Sequence, residues 1–169
     1  MSSSTPDMSP GPFTAAVVTV SDACSRAERD DLSGPAVAEA LEKRGFQVVA
    51  RQVVPDEQIY IQNTLMQLSE NARLIVTTGG TGIAPRDVTP EATRAVCERL
   101  LEGVAERMRF EGGKKTPLAA LSRATCGARG KVVILNLPGS PIGAIESLEA
   151  VIDLLPHALE LLSGNTKHP

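Results

Sequence analysis

Two segments, Ala15-Ala16-Val17-Val18-Thr19-Val20 and Val132-Val133-Ile134-Leu135-Asn136-Leu137, run almost unbroken through aliphatic and β-branched residues. A strand with one wet face alternates apolar and polar residues. A strand apolar on both sides must be covered on both, as in a parallel sheet between helical layers. Phe46 to Val54 and Leu74 to Thr78 read as two further strands. A helix from Pro35 carries Val37, Ala40 and Leu41 on one stripe, with Gly45 just past its end. Pro55-Asp56-Glu57 opens a second helix with Ile61, Leu65 and Leu68 on one face. Pro90 to about Leu101 gives a third, with Ala92, Val96 and Leu100. Three strand–helix units in succession predict the α/β class: a three-layer sandwich with a mostly parallel central sheet flanked by helices.

Past Gly103 the periodicity weakens. It predicts a short helix, a flexible Gly112-Gly113-Lys114-Lys115 link, a helical turn within Thr116 to Arg123 and an edge segment over Ala124 to Gly127. Ile145, Leu148, Ile152, Leu155, Leu159 and Leu162 mark a long terminal helix broken at Pro156. The polar, proline-bearing residues 1–12 read as a disordered arm, 13–163 as one domain and 164–169 as a tail. At 169 residues such a domain can bury a core without staples, and with aromatics at 2% that core must be aliphatic. Scarce aromatics, a net charge of −3 and no basic run exclude a general nucleic-acid surface. No run approaches the roughly 18 apolar residues of a membrane span. Three unpaired cysteines (Cys24, Cys97, Cys126) and a start lacking a secretion signal predict a reducing, cytoplasmic setting. The cysteines, and the isolated His157 and His168, receive no chemical role.

The chemistry concentrates after the third strand. Leu74-Ile75-Val76-Thr77-Thr78 ends in three glycines within four residues, Gly79-Gly80-Thr81-Gly82. Arg86-Asp87 follows, and Thr89-Pro90-Glu91 is a helix-start signal with Thr89 as the expected N-cap. Strand, glycine loop and helix N-terminus together offer bare amides to a phosphate. In an open α/β sheet the carboxyl ends of the strands receive the ligand. That edge collects Ser21-Asp22, Asp56, the loop through Asp87, and Pro138-Gly139-Ser140. Asp22 can also be read as closing a turn and Asp56 as an N-cap, whereas Asp87 has no evident structural task once Thr89 caps the helix. Amides plus carboxylates suit a phosphate substrate bridged by Mg²⁺. No Gly-Lys-Ser/Thr triplet closes a P-loop, and a dinucleotide fingerprint begun at Gly80 meets Pro85 where glycine is required.

With these residues assembled, the chain resembles the molybdopterin adenylyltransferase family, which is related to the G domain of gephyrin. The resemblance lies in Thr19-Val20-Ser21-Asp22, Asp31-Leu32-Ser33-Gly34, Val54-Pro55-Asp56-Glu57 and Thr78-Gly79-Gly80-Thr81-Gly82 through Arg86-Asp87-Val88-Thr89-Pro90-Glu91-Ala92. It continues in Leu121-Ser122-Arg123, Gly127 to Lys131, and Leu137-Pro138-Gly139-Ser140. It implies a trimer that joins molybdopterin phosphate to the α-phosphate of Mg-ATP, releasing pyrophosphate and passing the product to a molybdenum-insertion enzyme. It also implies that Asp56 and Asp87 are the essential acids, holding or orienting Mg²⁺. Gly79 to Gly82 would cradle phosphate, with Ser21, Asp22 and Thr89 on the nucleotide side. Ser122, Arg123 and Pro138-Gly139-Ser140 would face the pterin. Arg94 stands where some relatives have lysine. The alternative, a molybdopterin-binding or scaffolding module without turnover, is disfavoured by the presence of both acids.

Overall fold

A computed structural model describes residues 11–167. Most of the expected arm, the end of the expected tail and His168 lie outside that range. Six strands form one sheet: β1 (Thr14–Val20), β2 (Gln47–Val54), β3 (Leu74–Thr78), β4 (Arg99–Leu100), β5 (Cys126–Arg129) and β6 (Val132–Leu137), in the order β2-β1-β3-β6-β5-β4. β2, β1, β3 and β6 run parallel, while β5 and β4 are antiparallel additions at one edge.

The central strands alternate between two apolar layers. Ala15, Val17, Leu74, Val76, Val133 and Leu135 pack with α2 (Ser33–Lys43), α5 (Glu102–Gly113), α6 (Pro141–Val151) and α7 (Leu155–Leu162). Ala16, Val18, Ile75 and Ile134 pack with α3 (Gln58–Leu68) and α4 (Thr89–Val96). Both faces are covered, as the unbroken β-branched runs require. The remaining helix, α1 (Asp22–Ser25), is a single turn capped by Ser21, whose Oγ accepts from the Cys24 amide.

Several boundaries differ from expectation. α2 begins at Ser33, where the Asp31 carboxylate accepts from the Gly34 amide. The helix after the glycine loop stops at Val96, not near Leu101, because the chain turns extended at Cys97 and pairs Arg99–Leu100 with β5. Gly112 and Gly113 are the last turn of α5 and not a flexible link. The terminal break falls at a 3-10 turn over Ile152–Leu154, so that Pro156 sits in the first turn of α7, where its missing N–H costs nothing.

Candidate active site

β1 leads outward to β2, yet its other neighbour is β3. The loops leaving β1 and β3 therefore diverge at a switch in strand order, where a crevice opens in such sheets. The loops after β3 and β6 meet along one side of it. Thr78 Oγ1 donates to the Pro138 carbonyl at 2.7 Å, and the Gly79 amide donates to the Leu137 carbonyl at 3.0 Å. Gly79 (φ +106°) and Gly80 (φ +69°) lie in the left-handed region. A Cβ would stand 2.3 Å from the Val20 carbonyl oxygen at Gly79 and 2.3 Å from Thr89 Oγ1 at Gly80, so neither position accepts a side chain.

The two loops form a ridge between two cavities. The smaller, about 520 Å³, is lined by Ser21, Arg29, Asp56, Gly79, Gly80 and Asp87 among others. The larger, about 720 Å³, meets Thr81, Gly82, Ser122 and Pro138, and extends between α5 and α6. Gly139 faces the smaller cavity and Ser140 lines both. Among the described residues, the amides of Gly80, Thr81, Gly82, Gly139 and Ser140 donate no hydrogen bond, while that of Gly79 is committed to Leu137. The ridge thus presents several unused donors, three of them on glycines that carry no side chain to block the approach.

The acids are tied to one another. The Asp22 amide donates to Asp56 Oδ2 at 2.8 Å, and the Asp56 amide donates to Asp22 Oδ1 at 3.0 Å. Arg86 grips the Asp22 carboxylate through Nε at 2.6 Å and Nη2 at 3.0 Å. Arg86, with help from the Asp56 amide, holds the Asp22 carboxyl down at about 2. Burial pushes Asp56 above the usual aspartate range, and the negative charges of Asp22 and Asp87 push the same way. A carboxyl lowered by folding stabilises the native state above its unfolded value, near 4, and loses that contribution as pH falls toward 2. Asp22→Asn is therefore expected to flatten the acid limb of a stability-against-pH curve between about pH 4 and 2. Urea titrations across that range read the change.

Asp87 does have a structural task. Its Oδ2 accepts from the Ala84 amide at 2.9 Å while its own amide donates to the Ala84 carbonyl at 2.9 Å, closing the loop into a tight turn. Asp87 Oδ1 and Asp56 Oδ1 accept nothing from the described residues, and both residues line the smaller cavity. Among the described residues no group of three or more His, Cys, Asp or Glu side chains could enclose a metal. The two free carboxylate oxygens are of the hard, anionic kind that could hold a Mg²⁺.

Three site residues, Thr89, Asp22 and Arg123, are placed differently from the sequence reading, while Ser122 falls on the expected side. Thr89 is the first residue of α4, not its cap. It is buried, lines neither cavity and donates through Oγ1 to the Gly79 carbonyl at 2.9 Å. Asp22 lies behind Asp56 and also lines neither cavity. Ser122 lines the larger cavity, with its Oγ accepting from the Ala124 amide. Arg123 was expected against the pterin, but its guanidinium donates to the carbonyls of Gly82 (2.8 Å) and Asp87 (2.7 Å) and pairs with Glu91. Its amide holds the Thr81 carbonyl at 2.8 Å. Burial raises the Glu91 carboxyl, but Arg123, the Glu91 amide and Arg94 together hold the group below its ordinary range. Arg123 clamps the loop at both ends. Arg123→Ala is expected to speed exchange of the hydrogen-bonded loop amides Ala84, Asp87 and Thr89 while leaving β1 and α2 protected, as exchange mass spectrometry would read.

Nothing in the sequence marked Glu91 as that clamp's partner, since 32 positions separate the two. Burial pushes the thiols of Cys97 and Cys126 up to about 11 and about 12, in keeping with packing roles. No helix among the described residues is long and apolar enough to cross a membrane.

Residues 16–157 match the family model described as a probable molybdopterin binding domain. A protein of Helicobacter pylori strain J99 named molybdopterin adenylyltransferase is 41% identical over 153 residues, covering 88% of this chain and 87% of its own. The chain belongs to the molybdopterin adenylyltransferase family. The protein of that name from Escherichia coli K12 is 38% identical over 88% of this chain and 84% of its own. Among solved structures, the molybdopterin biosynthesis enzyme MoaB of Thermus thermophilus superposes with a TM-score of 0.85 at 51% identity, over 90% of this chain and 97% of that one. The family resemblance read from the motifs and the three-layer fold read from the strand patterns are both confirmed.

Proposed function

We propose that this chain transfers the adenylyl group of ATP to the terminal phosphate of molybdopterin, releasing pyrophosphate, in molybdenum cofactor biosynthesis. The observation that carries the reading is the ridge of unused amides between two cavities, with Asp56 and Asp87 facing the smaller one. The reaction brings two anionic phosphates together, so alignment and charge neutralisation dominate over proton transfer.

In this reading the pterin enters the larger cavity, past Ser122, Pro138 and Ser140, and the nucleotide enters the smaller one, past Ser21. The amides of Gly80, Thr81 and Gly82 on one loop, and of Gly139 and Ser140 on the other, take the phosphate oxygens. Asp56 and Asp87 offer their free oxygens to Mg²⁺, which when bound neutralises charge on the nucleotide phosphates. Asp22 fixes Asp56 through the reciprocal pair. Thr89 and Arg123 hold the glycine loop in shape from below and behind. A homotrimer, hand-over of the product to a molybdenum-insertion enzyme and a cytoplasmic location belong to the same proposal.

The test is to incubate the purified protein with molybdopterin and Mg-ATP and to follow adenylated pterin and pyrophosphate. Equimolar formation of both supports the reading. Tight pterin binding with no product overturns it in favour of a binding module.

A further inference from the structure

The smaller cavity has an electrostatic peculiarity. Its lining includes four acids, Asp30, Asp31, Asp56 and Asp87, and one cation, Arg29. Asp31 is occupied within the protein, accepting from Thr19 Oγ1 at 2.7 Å and the Gly34 amide at 2.9 Å. Arg29 is barely used. Its one hydrogen bond runs from Nη2 to Ser21 Oγ at 3.3 Å, which leaves most of its five donors for another partner.

The backbone holds Arg29 at this position. Ala27 (φ 57°) is the one non-glycine residue with positive φ among those described. It reverses the chain after α1, with the Ala27 amide on the Cys24 carbonyl at 3.1 Å and the Glu28 amide on the Ala23 carbonyl at 2.9 Å. These are the two bonds of a left-handed helix C-cap, so the turn is set locally at the end of α1. Its effect is to return residues 29–33 to the cavity rim.

We propose that Arg29 holds the pyrophosphate leaving group of the nucleotide. This rests on the adenylyl-transfer reading and assigns the leaving side of that same site. A pterin phosphate oxygen attacks the α-phosphorus from the ridge, where the two cavities meet. A new P–O bond forms there as the bond from the α-phosphorus to the β-bridging oxygen breaks, and its electron pair departs with pyrophosphate. Displacement at phosphorus is in line, so the leaving oxygen lies on the side of the α-phosphorus away from the ridge. Away from the ridge, the cavity wall is the segment through Cys24 to Ser33, and its cation is Arg29. Negative charge grows on the leaving oxygens in surroundings otherwise rich in carboxylates, and a guanidinium fork answers it.

Arg29→Ala and Arg29→Lys test this, since the side chain is exposed and its loss spares the core. Arg29→Ala is expected to raise both the KM for ATP and the inhibition constant of pyrophosphate about tenfold, the loss of one charge-assisted contact. Binding of AMP and of molybdopterin stays unchanged, and Arg29→Lys recovers part of both effects. An active Ala variant with unaltered KM and pyrophosphate inhibition overturns the assignment. Weakened AMP binding does so too, by placing Arg29 on the nucleoside side. Wild-type protein that makes no adenylated pterin overturns the adenylyl-transfer reading instead. Calorimetric titration with Mg-pyrophosphate then still decides the role of Arg29: weaker binding to the Ala variant supports it, and equal binding sinks it.

Discussion

Asp87→Asn should reduce kcat for adenylyl transfer by about a thousandfold, with the fold and pterin affinity retained. The change is selective because Asp87 has two jobs on two oxygens. The bond from the Ala84 amide needs only an acceptor, which the asparagine carbonyl supplies, so the turn at residues 84–87 persists. One negative charge at the smaller cavity is lost, and with it, under the proposed mechanism, the second carboxylate that would hold Mg²⁺ beside Asp56. Single-turnover kinetics at saturating substrates, beside a thermal melt and a pterin Kd, separate these outcomes. Normal turnover in the variant would remove Asp87 from the mechanism.

The largest loss of stability is expected at a residue that touches no substrate. Asn136 lies fully buried in β6, where its Nδ2 donates to Thr77 Oγ1 at 3.0 Å and Thr93 Oγ1 at 2.9 Å. Its Oδ1 accepts from the Thr125 amide at 3.2 Å. One side chain thus joins β6 to β3, α4 and the entry to β5. Asn136→Leu leaves two hydroxyls and an amide buried without their partner. The expected cost is about 4 kcal/mol, or about 10 °C in Tm for a domain of this size. Adding Thr77→Val and Thr93→Val to that variant should restore part of the loss by removing the stranded hydroxyls. A triple variant less stable than the single one would show that the penalty comes from shape and not from unmet hydrogen bonds.

The fold was legible wherever burial on both faces wrote itself into a run. β1, β2, β3 and β6 and the helices α2 and α3 follow from apolar patterning. β4 was not legible, because two exposed residues, Arg99 and Leu100, carry no period and pair only after β5 is in place. Asn136 was hidden for the opposite reason: in a strand of aliphatics its one polar side chain looks like a break in the pattern, and two of its three partners lie 59 and 43 positions away. At the site, the glycine loop and the acids could be read locally. The reciprocal Asp22–Asp56 pair, the Arg86 grip 64 positions from Asp22 and the Arg123 clamp could not, since each exists only once strand order sets the loops side by side. Asp87 shows the hazard of eliminating structural roles from sequence: the turn it closes was invisible until the backbone of residues 84–87 was in view.

The contact between the β3 and β6 loops also bears on when the site comes into being during folding. Asp22, Asp56 and Asp87 are all present once the chain has reached residue 87, but the other half of the ridge arrives with Pro138, some 60 residues after Thr78. A nascent chain that has formed its first three strands holds the acids and one loop, with the Gly79 amide lacking its Leu137 acceptor. Closing that non-local pairing is a late and slow class of event. The competent geometry therefore appears only with the completed sheet, and a half-made chain in a cell full of nucleotide has no finished cradle in which to trap it.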